Sequence, residues 1–164
     1  MTANLMFPVL VSLTLSSAML SGLFFVFSNF AMNAFSRIPA ESGVAAMQSI
    51  NRVILNPGFL GIFGGTALGS IGVALAAILN WSHPSSGWAL SGGLFYLIGC
   101  FAVTAMFNVP LNNQLETVTA HDPGASVAWS SYVAGWQPWN HVRTLATLLA
   151  ALAYLIAASK LGEG

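Results

Sequence analysis

A chain of 164 residues with 56% hydrophobic and only 5% charged side chains cannot cover itself with a water-facing surface, because an ordinary soluble domain carries about 25% charge. Four Lys/Arg balance four Asp/Glu, so there is no basic tract and no case for a nucleic-acid partner. The single cysteine, Cys100, excludes an internal disulfide and any multi-cysteine metal site.

No charged side chain occurs from Met1 to Ser36, from Val53 to Leu115, or from Thr144 to Ser159. A membrane crossing takes about 20 apolar residues at about 1.5 Å rise each. The first and third windows therefore hold one crossing each, and the middle window holds two joined by a turn. The expected fold is all-α: an integral membrane four-helix bundle, one domain over 1–164, with spans at 5–35, 57–80, 90–115 and 138–160. The lipid bilayer is its solvent, and the expected location is multi-pass in a bacterial inner membrane. The N-terminal stretch lacks a Lys or Arg before Arg37 and is too long for a signal-peptide core, so it reads as the first span.

On the first helix, Phe25, Asn29, Asn33 and Ser36 follow helical spacing and draw one polar line over the last two turns. Ser17, Ser21 and Ser28 read as packing glue between helices. Asn29 reads equally as glue or as the border of a wet cavity, since a buried amide needs several partners. Pro39 ends this helix, and Glu41-Ser42 starts a short amphipathic one with Gln48, Asn51 and Arg52 on one face. That face is either solvated or the lid of a pocket.

The second span opens at Pro57, a residue suited to the first helical turn. Gly61, Gly65 and Gly69 are spaced by four, which lets helix backbones approach closely within the bundle or between copies in a homo-oligomer. Trp81 and Trp88 flank a polar turn at the height of an interfacial aromatic belt, with His83 as a solvated loop residue. The third span ends in F-N-V-P-L-N-N-Q-L. Asn108 and Asn112 share a side, and Pro110 between them frees the carbonyl of Met106. This is either a kink with ligand or water at the freed groups or a helix ending in Asn caps.

Asp122 and Pro123 look like a helix start, Asp122 as the cap. Trp129, Tyr132, Val133 and Trp136 then form the apolar face of an interfacial helix in the 3–4 connection, matching the short one in the 1–2 connection. Pro138 begins the last span, with Asn140, Thr144 and Thr147 on one face and Arg143 beside it. The electropositive start of that helix favours an anionic group.

Four crossings put the 1–2 and 3–4 connections on the same side. Asn29/Asn33, Gln48/Asn51, Asn108/Asn112 and Asn140/His141/Arg143 therefore converge at one end of the bundle. Arg37, Arg52 and Arg143 make that end cytoplasmic by the positive-inside rule, with both termini outside.

Four stretches carry a resemblance: G-L-F-F-V-F-S-N-F-A-M (22–32), A-M-Q-S-I-N-R-V-I-L-N-P (46–57), N-V-P-L-N-N-Q-L (108–115) and W-Q-P-W-N-H-V-R-T-L-A (136–146). In this order, over nearly the whole chain, they resemble the anthrone oxygenase-like family of small four-span membrane proteins. The resemblance implies a four-helix membrane bundle and oxidation of anthrones to anthraquinones by molecular oxygen. The matching positions are Asn29, Gln48, Asn51, Asn108, Asn112, Trp139, Asn140, His141 and Arg143.

Residue chemistry then suggests roles. An anthrone becomes acidic at carbon once its oxygen is stabilised as an enolate, and such an enolate reacts directly with oxygen without a required metal or other cofactor. His141 is the expected base. Arg143 and Asn140 complete the expected catalytic set, with Arg143, Asn140, Asn108 and Asn112 as oxyanion donors. Trp136 and Trp139 would stack on the rings, and Asn29, Gln48 and Asn51 would complete the binding of a flat, hydrophobic, phenolic or quinol-like molecule. A haem or metal held by His141 is a second reading, weakened by having only His83, His121 and His141 to draw on. A non-catalytic binder or transporter is a third, weakened by the lack of a carboxylate within the spans. Taken alone, Trp136, Trp139 and Arg143 also read as interfacial anchors.

Overall fold

The computed structural model describes residues 3–163. The first helix, α1, runs without a break through Ala3–Val26, a π-helical stretch Phe27–Ala31 and Met32–Phe35. Next come α2 (Ala40–Val53) and α3 (Pro57–Leu79). α4 covers Ser86–Glu116 and carries two π-helical stretches, Phe95–Ala102 and Thr104–Asn108. α5 is Ala125–Ser159, extended by a 3-10 turn at Lys160–Gly162. α1, α3, α4 and α5 are each long and apolar enough to cross a membrane. The chain is an all-helical, multi-pass membrane bundle.

Local chemistry sets the boundaries. Asn56 accepts the Phe59 amide proton at 3.0 Å, and Pro57 follows it as the first helical residue, so α3 starts where its donors are capped. At the other end Ser86 donates to the Asn80 carbonyl at 2.7 Å and closes the α3–α4 turn. Trp81 and Trp88 flank this turn on the surface, as the aromatic-belt reading expects.

The last part of the chain departs from the sequence reading. Pro138 does not begin a helix; it lies inside one continuous helix of 35 residues. Its missing N–H leaves the Ala134 carbonyl without its usual donor. Packing on both sides outweighs that loss: Trp129, Tyr132 and Trp136 are buried before it, and Asn140, Arg143 and Thr147 after it. At about 1.5 Å per residue α5 is about 52 Å long, against about 30 Å of hydrocarbon. The expected interfacial helix of the 3–4 connection is thus the projecting start of α5, and the connection shrinks to a turn. Asp122 does not cap α5 with its side chain; its backbone carbonyl accepts from Ala125 N at 2.9 Å.

The outer surface is apolar in its middle, with Leu68, Leu75, Met106 and Leu155 exposed, while Ala150, Ala153 and Ala157 of α5 are buried. Small residues inside and large ones outside is the arrangement of helices packed in lipid. The tightest approaches are not on the Gly61, Gly65, Gly69 line. A Cβ at Gly61 or Gly65 would meet nothing within 4 Å, and only Gly69 is filled, by Leu13. The close contacts are Gly99 against Ala146, Gly92 against the Tyr154 ring, and Gly43 against the Trp129 ring.

Two buried apolar clusters result. One surrounds Leu10, Tyr96, Ala150 and Tyr154 among the spans. The other joins Val44 and Met47 of α2 to Leu115, Trp129, Tyr132 and Trp136. α2 is therefore docked on the bundle as a cover, not spread on the membrane as a separate solvated helix.

Candidate functional site

A cavity of about 410 Å³ lies at the seam between the two clusters, under α2. α1 gives it Leu23, Phe24 and Phe27; α2 gives Met47, Ile50, Asn51 and Arg52; and Phe59 comes from the start of α3. Ile54 and Leu55 of the α2–α3 connection, Thr104, Val109, Asn112, Asn113 and Glu116 of α4, and Trp136 and Arg143 of α5 complete the wall. Most of this surface is apolar and aromatic, with a few polar groups on it, the usual form of a small-molecule site.

π-helical turns occur in two of the helices that line it. Phe27 lies in the π stretch of α1 and Thr104 in the second one of α4. The latter ends two residues before Pro110, whose ring and missing N–H forbid the ordinary bond to the Met106 carbonyl. The sequence reading of a disturbed helix here corresponds to this widened turn, since the helix continues to Glu116. Such turns are frequent at functional sites.

Arg143 is the central feature. It is 6% exposed, and no carboxylate pairs with it among the described residues. One terminal nitrogen donates to Asn140 Oδ1 at 2.8 Å and the other to Thr104 Oγ1 at 3.3 Å. The guanidinium lies 4.4 Å from the Phe24 ring centroid and 5.1 Å from that of Trp136. These cation–π contacts are each worth about 0.5–2 kcal/mol. They soften the cost of burying a charge without replacing a counter-ion.

Asn140 holds the cation in place. Its Nδ2 donates to the Phe24 carbonyl and to Ser28 Oγ, both at 2.8 Å. Thr144 Oγ1 donates to the Asn140 carbonyl, so Ser28 must donate to Thr144 across the 3.0 Å that separates their hydroxyls. The loop closes on Asn140 and clasps α1 to α5. With Nδ2 committed, Oδ1 is the only part of the amide left for Arg143.

A second polar set lies nearer the cover. Tyr132 donates to Asn112 Oδ1 at 2.9 Å. Asn51 Nδ2 approaches the Tyr132 hydroxyl but makes no hydrogen bond to it. At the rim Arg52 and Glu116 form an exposed ion pair between α2 and α4.

The sequence-derived residues divide accordingly. Asn51, Asn112, Trp136 and Arg143 line the cavity. Asn140 and Asn108 are fully buried beside it, Asn108 donating to the Trp136 carbonyl at 3.3 Å. Gln48 is spent on structure: its Nε2 donates to the Leu115 and Val118 carbonyls at the end of α4, both at 2.9 Å. Asn29 and His141 are exposed and outside the cavity. Their helical positions face away from the Phe24–Asn140 contact that defines the interior. Trp139 stacks on Phe107 at 3.6 Å and 8°, also outside the cavity.

Tyr132, Thr104, Ser28, Phe24 and Glu116 were not singled out as site residues by sequence. Tyr132 was visible only as part of an apolar face, and the others gained their neighbours through packing. Arg143 belongs to the interior, so it drops out of the charge count that oriented the chain.

A larger cavity, about 510 Å³, opens at the opposite end, lined by Met6, Leu10 and the 80–86 turn. It holds no Asp, Glu, Lys or Arg, and His83 there is engaged with Ser85, whose amide donates to Nδ1 at 3.2 Å. The remaining histidine outside this cavity and the bundle, His121, pairs with Glu41. Among the described residues no three His, Cys, Asp or Glu side chains gather into a metal-ligand group.

A family model described as anthrone oxygenase matches residues 55–153, more than half of the chain. That range takes in α3, α4 and most of α5, with Asn108, Asn112, Trp136, Asn140 and Arg143. No match was found among curated proteins or among solved structures.

Proposed function

The chain belongs to the anthrone oxygenase family, and we propose on that premise that it is a membrane-embedded oxygenase acting on a flat, apolar, anthrone-like or quinol-like phenolic compound. The observation that carries the reading is one buried guanidinium, without a counter-ion among the described residues, in an aromatic-walled cavity beneath α2. Rings of the substrate would lie against Phe24, Phe27 and Trp136. A ring oxygen would meet Arg143, which stabilises the negative charge of the enolate.

The chemistry balances without a further reductant. Loss of a proton from the methylene carbon leaves an enolate. One electron passes from it to molecular oxygen, the two radicals combine, and a carbon–oxygen bond forms as a peroxide. Loss of the second methylene proton with cleavage of the O–O bond gives the quinone carbonyl and one water. The protein's part is to bind the rings, hold the oxyanion and keep bulk water from the radical pair. Asn140 acts on this through Arg143, as a positioning residue.

The test is oxygen uptake and quinone formation by the full chain in lipid nanodiscs, with an anthrone or a quinol as substrate. Equal amounts of oxygen consumed and quinone formed from an anthrone, suppressed in Arg143→Met, are expected. Saturable binding of the compounds without oxygen uptake by the folded protein would overturn the reading in favour of a binding protein.

A further inference from the structure

Three buried nitrogens around the cavity have a proton to donate and no acceptor: Arg143 Nε, Trp136 Nε1 and Asn51 Nδ2. All three residues line the same cavity. An unmet buried donor costs about 1–3 kcal/mol; of the four unpartnered buried side-chain nitrogens among the described residues, three belong to residues of this wall and the fourth, Trp129 Nε1, lies off it. Among the described residues the unpartnered buried side-chain oxygens belong to Ser17 and Asn108, and neither lines the cavity. The unmet hydrogen-bonding capacity of this wall is therefore donor in kind.

Charge has the same sense. Arg52 and Glu116 cancel each other at the rim, which leaves Arg143 as the net charge of the wall. α1 and α3 bring no titratable side chain. α4 brings Cys100, an ionisable neighbour of Arg143, and α5 brings Tyr132; an ordinary thiol and phenol carry no charge at neutral pH. Glu116, already paired, is the only carboxylate among the described residues of the wall. His141 stands outside it.

We infer that the cavity takes its ligand as a preformed aromatic oxyanion, an enolate or phenolate, selected over the neutral molecule by Arg143, Trp136 and Asn51. The C–H or O–H bond breaks heterolytically before or during binding. The electron pair stays on the ligand, and the proton leaves to water at the rim, with no protein base inside. The aromatic skeleton of the ligand rests on the function proposed above; the ionisation state rests on the donor set.

The experiment uses alizarin, a redox-stable tricyclic phenol whose anion absorbs at longer wavelength, bound to the full chain in nanodiscs and titrated by pH. The expected midpoint of ionisation lies at least about one pH unit below that of the dye in empty nanodiscs, a tenfold preference for the anion. Arg143→Met should return it to the empty-disc value. Trp136→Phe, which keeps the ring and removes one donor, should return it part of the way, and helical circular dichroism checks that both variants fold. An unshifted or raised midpoint, or no saturable binding at any pH, overturns the inference. Anion selection without anthrone turnover would sink the proposed reaction and leave this standing; turnover without anion selection would do the reverse.

Discussion

Asn140 offers Arg143 only its carbonyl oxygen, 2.8 Å from a guanidinium nitrogen, because the amide nitrogen is already committed to Phe24 O and Ser28 Oγ. The cation is fixed in position yet electrically unbalanced. Arg143→Met, which keeps bulk and removes charge, should lower kcat for anthrone oxidation about 10²–10³-fold. Asn140→Asp supplies the missing counter-charge and should lower the rate comparably with Arg143 still present. Steady-state oxygen uptake by folded variants checks both, and more than a tenth of the rate surviving in Arg143→Met would remove the residue from its role.

His141→Ala should cost less than tenfold in the same assay. A general base contributes about 10²–10⁴, but a base must reach the proton it takes, and this ring is exposed and outside the cavity. Loss of a hundredfold would mean that the ring reaches the substrate by a rearrangement of α5.

The architecture was legible because composition dictates it. Charge-free windows of span length allow four crossings, and Pro39 and Pro57 mark boundaries that the backbone obeys. Convergence of the amides on one end was legible for the same reason, since span parity fixes it. Which amide faces inward was not. Asn29 and Asn140 are both apt for hydrogen bonding, and only the seating of α1 against α5 turns one outward and encloses the other. Pro138 misled because a proline inside a helix costs about 3 kcal/mol in isolation, and the two-sided packing that absorbs this cost is not a local property of the sequence. Gln48 misled in the opposite way: an amide aimed at helix-end carbonyls looks, in sequence, like an amide aimed at a ligand.

Close helix packing is set at Gly99. A Cβ there would come within 2.5 Å of Ala146 Cβ, whereas one at Gly61 would meet nothing within 4 Å. Gly99→Ala should therefore destabilise the bundle by about 1–3 kcal/mol through forced separation of α4 and α5. Gly61→Ala should be neutral, or stabilising by up to about 1 kcal/mol from reduced chain entropy. Thermal melts in one detergent compare the two directly. A lowered melting point in Gly61→Ala would overturn this and mark that line as a contact between copies of the chain.

Gln48 latches the cover. Its amide nitrogen bridges the Leu115 and Val118 carbonyls at and just beyond the end of α4, adding a second donor to Leu115 O, which also accepts from Val118 N at 3.0 Å. Each such bond is worth about 0.5–1.5 kcal/mol net. The same helix packs Gly43 against the Trp129 ring and carries Asn51 and Arg52 to the cavity. Gln48→Ala should loosen α2 without touching Arg143. Hydrogen exchange should then quicken over α2 and the 117–124 turn while the spans stay protected. KM should rise severalfold with kcat nearly unchanged, because the ring-binding wall is loosened and the oxyanion donors on α5 are not. Gln48→Glu should loosen α2 at least as much, since a carboxylate facing two carbonyls has no proton to give. Unchanged exchange over α2 in both variants would show that apolar packing alone holds the cover, and the KM effect should then vanish with it.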